Sequence, residues 1–271
     1  MTTRVWLVAS AVAGIAAAVP GGAPAATPTI AMSGSTPTAA VTADLAYFYR
    51  RQVRRPPRFS IVGGGTGTGI ADAARGIVDV GLASRDLAPD DPPGLVFSPI
   101  ALSGVCLVTN RANPVPGLVR SQIQDLVAGR LTSWTQVPGS TRTDPIAPVA
   151  LDERAGARSV FLSVFVDLET PLAYRPRTLA TAAQMRDSVR ATPAALGYVD
   201  LAFAADLHVV PYEGIACTRA TIRSGAYPAR RPLGFVTRGA PRAATRRFLR
   251  WIARSRTARR VIATRYVPLG R

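Results

Sequence analysis

Short apolar runs separated by stretches of helical period run along most of this chain. Thr29–Ser33 reads as a strand, Gly34-Ser35-Thr36-Pro37 as a turn and Thr38–Arg51 as a helix. Pro37 suits a first helical turn, where its missing N–H costs nothing. Phe59–Val62 is the next strand, Ile70–Arg75 the start of the next helix, and Ile77–Leu82 a second apolar run that stops at Ser84-Arg85. Leu102–Thr109 is apolar enough for a buried strand. Ser121 is expected to cap the helix after it, and Gly129 to stop that helix. Ile146–Leu151 predicts a strand, Arg158–Val166 and Ala180–Arg190 predict helices, Gly197–Val199 a short strand and Ala243–Thr264 one long terminal helix. Alternation of this kind predicts an α/β fold with largely parallel strands.

The densest chemistry lies in IVGGGTGTGIADAARGIVDVGLASRDL, residues 61–87, where Gly63, Gly64, Gly65, Gly67 and Gly69 interleave with Thr66 and Thr68. A strand, a glycine loop with two hydroxyls and a helix start together suit an anion, because the first N–H groups of a helix are unpaired and carry partial positive charge. A nucleotide P-loop would end in Lys; the chain has no Lys, its 33 basic residues all being Arg. A dinucleotide fingerprint needs G-x-G-x-x-G, and Thr68 stands where the third glycine counted from Gly63 should be; Asp86 keeps that match weak rather than absent. A glycine turn without any ligand is the plain alternative.

The N-terminus changes the compartment. Arg4, the apolar run Val5–Val19, the break at Pro20-Gly21-Gly22 and the small residues Ala23-Pro24-Ala25 have the layout of a cleaved signal peptide over residues 1–25. The run is short for a membrane span, and no Cys near its end would take a lipid anchor. The protein is therefore expected outside the cytoplasmic membrane, as a periplasmic, cell-envelope or secreted protein. Cys106 and Cys217 would then sit in an oxidising space, where they either pair as a disulfide, the preferred reading, or stay as two buried thiols. Two Cys and the lone His208 make no zinc cluster. His208 interrupts a strand-like run, Leu207–Val210, and is expected to be structural or at the surface. No paired carboxylates, triad or metal set supports an enzyme, and no cofactor is implied.

The order of motifs resembles the phosphate-binding proteins of ABC transporters, within the type II periplasmic binding-protein fold. Ser33-Gly34-Ser35-Thr36 is similar to that family's first anion loop, and residues 63–87 to its second loop with the following G-x-x-D-x-G-x-x-S-R stretch. Asn110, Asn113 and Pro114 match N-x-x-N-P, Gly129 and Trp134 match G-x-x-x-x-W, and Leu196-Gly197-Tyr198-Val199 resembles the IGYV strand. GAYPARRPLGFVT (225–237) and FLRWIARSRTARRVIATRYVPL (248–269) complete the series. The resemblance implies two α/β domains closing over an oxyanion at a hinge, one at 27–103 plus 212–271 and the other at 104–211. It implies a monomeric extracytoplasmic receptor that captures inorganic phosphate or a similar oxyanion and delivers it to the membrane subunits of an ABC permease.

On that basis Ser35 and Thr36 would donate from the first loop, and Thr66, Gly67 and Thr68 from the second. The family's third element, an Arg followed by a G-S-G-T turn, falls on Leu151–Phe161, where Ala155 and Ala157 replace the hydroxyl donors. Arg154, Arg158 and Ser159 are the expected substitutes. Arg85 stands where some phosphate-specific members carry Asp, so it is expected to bring further positive charge to the cleft. The degenerate third loop opens a rival reading, a binding-protein fold that has lost solute capture and adheres to envelope polyanions. The net charge of +17 feeds that rival. Arg246, Arg247, Arg250, Arg254, Arg259 and Arg260 face away from an apolar stripe of Phe248, Leu249, Ile252, Val261 and Ile262. Such a face is either merely solvated or attaches to anionic lipid headgroups or wall polymers. Export disfavours nucleic acid as the partner.

Overall fold

A computed structural model of the chain describes residues 27–167, 173 and 175–269; the signal-peptide reading falls on residues outside these. The chain begins with β1 (Thr29–Gly34), α1 (Thr36–Gln52), β2 (Arg58–Gly63), α2 (Thr66–Arg75), β3 (Val80–Ala83) and the long β4 (Leu95–Thr109). It continues through α3 (Arg120–Val127), β5 (Ala147–Leu151), α4 (Gly156–Val160), β6 (Arg177–Leu179), α5 (Ala182–Ala191), β7 (Ala195–Asp200) and β8 (His208–Val210). It returns by α6 (Arg219–Ser224), β9 (Arg230–Arg238), α7 (Ala243–Arg254), α8 (Arg256–Arg265) and the two-residue β10 (Val267–Pro268).

The strands lie in the order β2-β1-β3-β9-β4-β7-β5-β6, with β8 and β10 also paired to β4. β1, β2 and β3 are mutually parallel, as are β5, β6 and β7, whereas β9 and β4 run antiparallel to their neighbours. β4 joins the halves: residues up to Gly104 pair with β9, and Val105–Thr109 pair with β7.

Burial follows the same division. One core gathers Ile30, Val41, Leu45, Leu82, Phe235 and Phe248; the other gathers Val105, Leu107, Trp134, Phe161, Val199 and Tyr227. The outward change of core falls near Val105 and the return between Ala229 and Leu233. Residues 212–229, assigned to the first domain from sequence, thus pack with the second: Tyr212, Cys217, Ile222 and Tyr227 are buried in its core. Cys106 and Cys217 are joined by a disulfide, with Cα atoms 5.7 Å apart.

Several boundaries differ from expectation for local reasons. α2 begins at Thr66 rather than Ile70, so Thr66–Gly69 are helical instead of forming a loop. Gly69 serves packing there. A Cβ on it would lie 2.6 Å from the Ser33 carbonyl oxygen, and one on Gly81 would lie 2.3 Å from that of Gly69. These glycines let α2 lie directly against β1 and β3. Ser121 is not the cap of α3: the cap is Val119, whose N–H donates to Gln122 Oε1 (2.9 Å), and Ser121 already lies in the first turn. Gly129, at φ 75°, does follow the helix end. The expected single terminal helix is two. Ser255 N donates to Trp251 O (2.8 Å) to end α7, and its Oγ accepts from Thr257 and Ala258 N (3.1 and 3.3 Å) to start α8. One serine closes one helix and caps the next.

Candidate anion-binding cleft

Where the halves meet, the turns after β1, β2 and β5 face one another. Ser35 caps α1, its Oγ accepting weakly from Thr38 N (3.4 Å), while its own N–H donates to Leu82 O (2.7 Å). Gly65, at φ 98°, caps α2. From the other half Arg154 O accepts from Gly67 N at 3.3 Å. A Cβ on Gly65 would stand 2.9 Å from that carbonyl oxygen, so glycine is what allows the two backbones to touch here.

The cleft between these turns is lined by Ser35, Thr36, Thr66, Ser84, Asp200 and Arg231 with the Ala155-Gly156-Ala157 backbone. Thr66 and Ser84 are buried and bonded: Thr66 Oγ1 accepts from Ser84 N (3.1 Å), and the two hydroxyl oxygens are 2.9 Å apart. Only one hydroxyl hydrogen is used between them, so the other is available to a third oxygen. Arg231, on β9, is 3 % exposed and pairs with fully buried Asp200 at the end of β7. Nη2 donates to Oδ2, and Nε lies 3.4 Å from Oδ1. The remaining nitrogen, Nη1, is buried with no partner among the described residues. A methyl at Gly156 would sit 2.8 Å from Ser84 Oγ, 2.9 Å from Thr66 Oγ1 and 3.1 Å from Arg231 Nη1. Three donors from separate elements therefore converge on one small region, which only a residue without a side chain leaves open.

The cavity itself is ≈ 20 Å³, room for about one water. A tetrahedral ion fits only by taking over the Thr66–Ser84 contact with its own oxygens and easing the Gly156 turn outward. The donors here are hydroxyls, a guanidinium and the N-terminus of α2, which together favour negative charge without proton transfer.

Six expected site residues lie elsewhere. Gly67 directs its N–H to Arg154 O, and Thr68 Oγ1 donates back to Gly64 O (3.0 Å). Arg154 contributes only that carbonyl; its side chain is 67 % exposed, 3.7 Å from Asp152. Arg158 Nη1 donates to Leu151 O (3.1 Å), and Ser159 is exposed. Arg85 is held away by Asp91, with Nη1 and Nη2 donating to Oδ2 and Oδ1 at 2.6 and 2.9 Å. In their place are Ser84, Asp200 and Arg231. Each lies within or beside a motif already noted, Ser84 in the S-R pair, Asp200 directly after Gly197-Tyr198-Val199 and Arg231 in GAYPARRPLGFVT, but only the fold brings them together. His208 is structural: half-buried, its Nε2 is 2.7 Å from Val115 O.

The Arg85 hydrogen bond is the first cause holding the Asp91 carboxyl below its ordinary value of 3.8, the Ala88 N–H and the Arg85 charge adding to it against burial. A depressed folded value contributes stability above the ordinary carboxylate range and loses it as pH falls through the folded value. Asp91→Asn should therefore lose stability near neutral pH yet decline less on acidification, as read from urea midpoints between about pH 3 and 7. Equal acid slopes in variant and wild type would show that the pair does not bear on stability.

Residues 19–256 match the family model of the PBP superfamily domain. Among curated proteins, the phosphate-binding protein PstS 2 of Streptococcus pneumoniae is 27 % identical over 108 residues, 40 % of this chain and 37 % of that protein. The protein of the same name in Streptococcus agalactiae is 37 % identical over 71 residues, 26 % of this chain and 24 % of its own. This chain thus aligns with well under half the length of either. A putative phosphate ABC transporter substrate-binding protein from Clostridium perfringens, solved with bound phosphate, superposes with a TM-score of 0.83 at 24 % identity, covering 89 % of this chain and all of that one. An ABC-type phosphate transport receptor from Vibrio cholerae gives 0.71 at 24 % identity over the same shares. With its two-domain α/β fold and a family match across most of its length, the chain belongs to the PBP superfamily.

Proposed function

We propose that this protein is an extracytoplasmic solute-binding protein that captures inorganic phosphate, or a similar tetrahedral oxyanion, for an ABC permease. The observation that carries the reading is the buried, partnerless Nη1 of Arg231 beside the Thr66 and Ser84 hydroxyls at the junction of the two halves. A buried charged donor left unsatisfied is costly, and an oxyanion oxygen would satisfy it together with the free hydroxyl. Ser35, Thr36 and the α2 N-terminus supply further donors around the same cavity. The names of similar proteins, which are phosphate-binding, support the same ligand.

Binding and release follow from the contact between halves. The Gly67–Arg154 hydrogen bond spans them, so an ion enters when it opens and is desolvated when it closes, with β4 and the return at 229–233 as the crossings that bend. Asp200 lines the cleft beside the donors. Its carboxylate accepts from a protonated phosphate oxygen and repels an unprotonated one, which disfavours sulfate. The cleft keeps its donors despite the alanines of the third turn, and this favours capture over the polyanion-adhesion reading. Among the described residues no helix is long and apolar enough to cross a membrane.

Calorimetric titration with phosphate, arsenate and sulfate tests the reading. Phosphate and arsenate should bind one per chain and sulfate at least about tenfold more weakly, the equivalent of one good hydrogen bond. No heat with any of the three would sink it.

A further inference from the structure

A second concavity, ≈ 730 Å³, lies where α7 and α8 meet the segment around Pro99 of β4. That is the size of a small-molecule site, and it shares no lining residue with the cleft. Its floor is hydrocarbon: Ile100, Leu249, Ile252 and Ile262 line it, with Leu269 directly after β10. Its rim is cationic. Arg246 and Arg250 stand one turn apart on α7, and Arg256 and Arg259 one turn apart on α8, all four exposed. None of the four forms an ion pair among the described residues. Beyond Arg256 and Arg259 the groove continues into a shallower hollow bordered by Arg223 and Arg260.

Like charges one helical turn apart repel, and among the described residues no carboxylate pairs with these four. The occupant that removes this cost is an anion, since guanidinium forks match phosphate and carboxylate oxygens. The apolar floor asks for a hydrocarbon body in the same occupant, because covering it releases its hydration water. A bare polyanion would leave the floor wet, and a flat bilayer surface would not enter a concave groove. We propose that this groove binds a single anionic amphiphile, an alkyl or acyl chain ending in a phosphate or carboxylate, with the chain along the floor and the head between Arg256 and Arg259.

The full chain would be titrated calorimetrically with dodecyl phosphate below its micelle concentration, in the presence of excess inorganic phosphate to occupy the cleft. One molecule should bind, and decyl phosphate should bind roughly tenfold more weakly for its two missing methylenes. Arg256→Glu with Arg259→Glu should weaken dodecyl phosphate by about tenfold or more, with unchanged thermal unfolding because both residues are exposed. If that double variant does not fold, the Gln pair at the same positions replaces it. Unaltered binding by the folded variant would overturn the proposal. So would equal binding of dodecyltrimethylammonium, indifference to chain length, a short polyphosphate binding as tightly as the amphiphile, or no binding at all. Failure of the cleft to take phosphate would leave the groove result standing, since the two sites share no residue.

Discussion

Arg231→Met should cost this protein both its anion and a large part of its stability. The substitution removes Nη1 from the cleft and also strands Asp200, which is fully buried and has Arg231 as its ion-pair partner. Losing one member of a buried pair costs about 3–5 kcal/mol, because a carboxylate is left in an apolar interior without compensation. Losing a charged donor to the ligand costs about 1.5–3 kcal/mol, roughly ten- to a hundredfold in affinity. The two effects separate in a second variant. Arg231→Met with Asp200→Leu replaces the pair by apolar groups of comparable size, which is often neutral for stability. The double variant should recover much of the urea midpoint and none of the phosphate affinity. If it binds phosphate as wild type does, Arg231 is a structural residue and the cleft donor lies elsewhere.

This result could not have been reached from the sequence, and the reason is physical. The cations expected in the cleft are Arg154 or Arg158, from the match of 151–161 to the family's third element, together with Arg85, from the S-R pair after the second. Arg85 has a nearer claim on it: Asp91, six residues on, takes both its terminal nitrogens. Arg154 and Arg158 sit at the right turn, but Arg154 is exposed beside Asp152 and Arg158 donates to Leu151 O. Arg231 looks unremarkable in sequence, one of two adjacent arginines on a strand. Alternation along β9 sends Arg230 to solvent and Arg231 inward, on the face of buried Leu233 and Phe235, and Asp200 at the end of β7 is the partner that folding brings to it.

The turns after β1 and β2 were legible because their signal is local. Strand, glycine, hydroxyl and helix follow within a few residues, and Ser35, Thr36 and Thr66 do line one cleft. Yet the five glycines do different work. Gly65 admits the opposite backbone, Gly69 admits β1 and β3, and a Cβ on Gly64 would meet only a methyl group of Thr68 at 3.9 Å. Composition counts them alike; only the neighbours brought by folding tell them apart. The break at Ser255 was hidden likewise, since the apolar period continues across it without Gly or Pro, and a serine is a cap only when the chain turns there.

Cys106→Ala with Cys217→Ala should lower stability by about 2–5 kcal/mol while leaving phosphate binding intact. The bond joins positions 111 apart in sequence, a long loop whose closure greatly restricts the unfolded chain. It also sits where the fold needs an anchor. Cys106 lies on β4 just past the first crossing between cores, and Cys217 opens the segment that leads through α6 to the second. A Cβ on Gly104 would lie 3.1 Å from Cys217 Sγ and 2.7 Å from Ile222 Cδ1, so this segment is pressed directly onto β4. Without the bond, 217–229 is still held by buried Ile222 and by Tyr227, whose hydroxyl donates to Val105 O at 2.9 Å, by Val105 N donating to Ala229 O (2.9 Å), and by Arg219 Nη1 donating to Ala263 O (3.0 Å). The cleft touches neither cysteine, so the variant should bind phosphate normally at temperatures where it is folded. Thermal unfolding in the presence and absence of reductant gives the reading. Wild type should lose roughly 4–20 °C on reduction, the range that 2–5 kcal/mol implies for a chain of this size, and the variant should lose none. A wild type whose midpoint ignores reductant after both thiols are shown to be free would leave the bond without a part in stability, and the segment's own packing would then have to hold the return crossing.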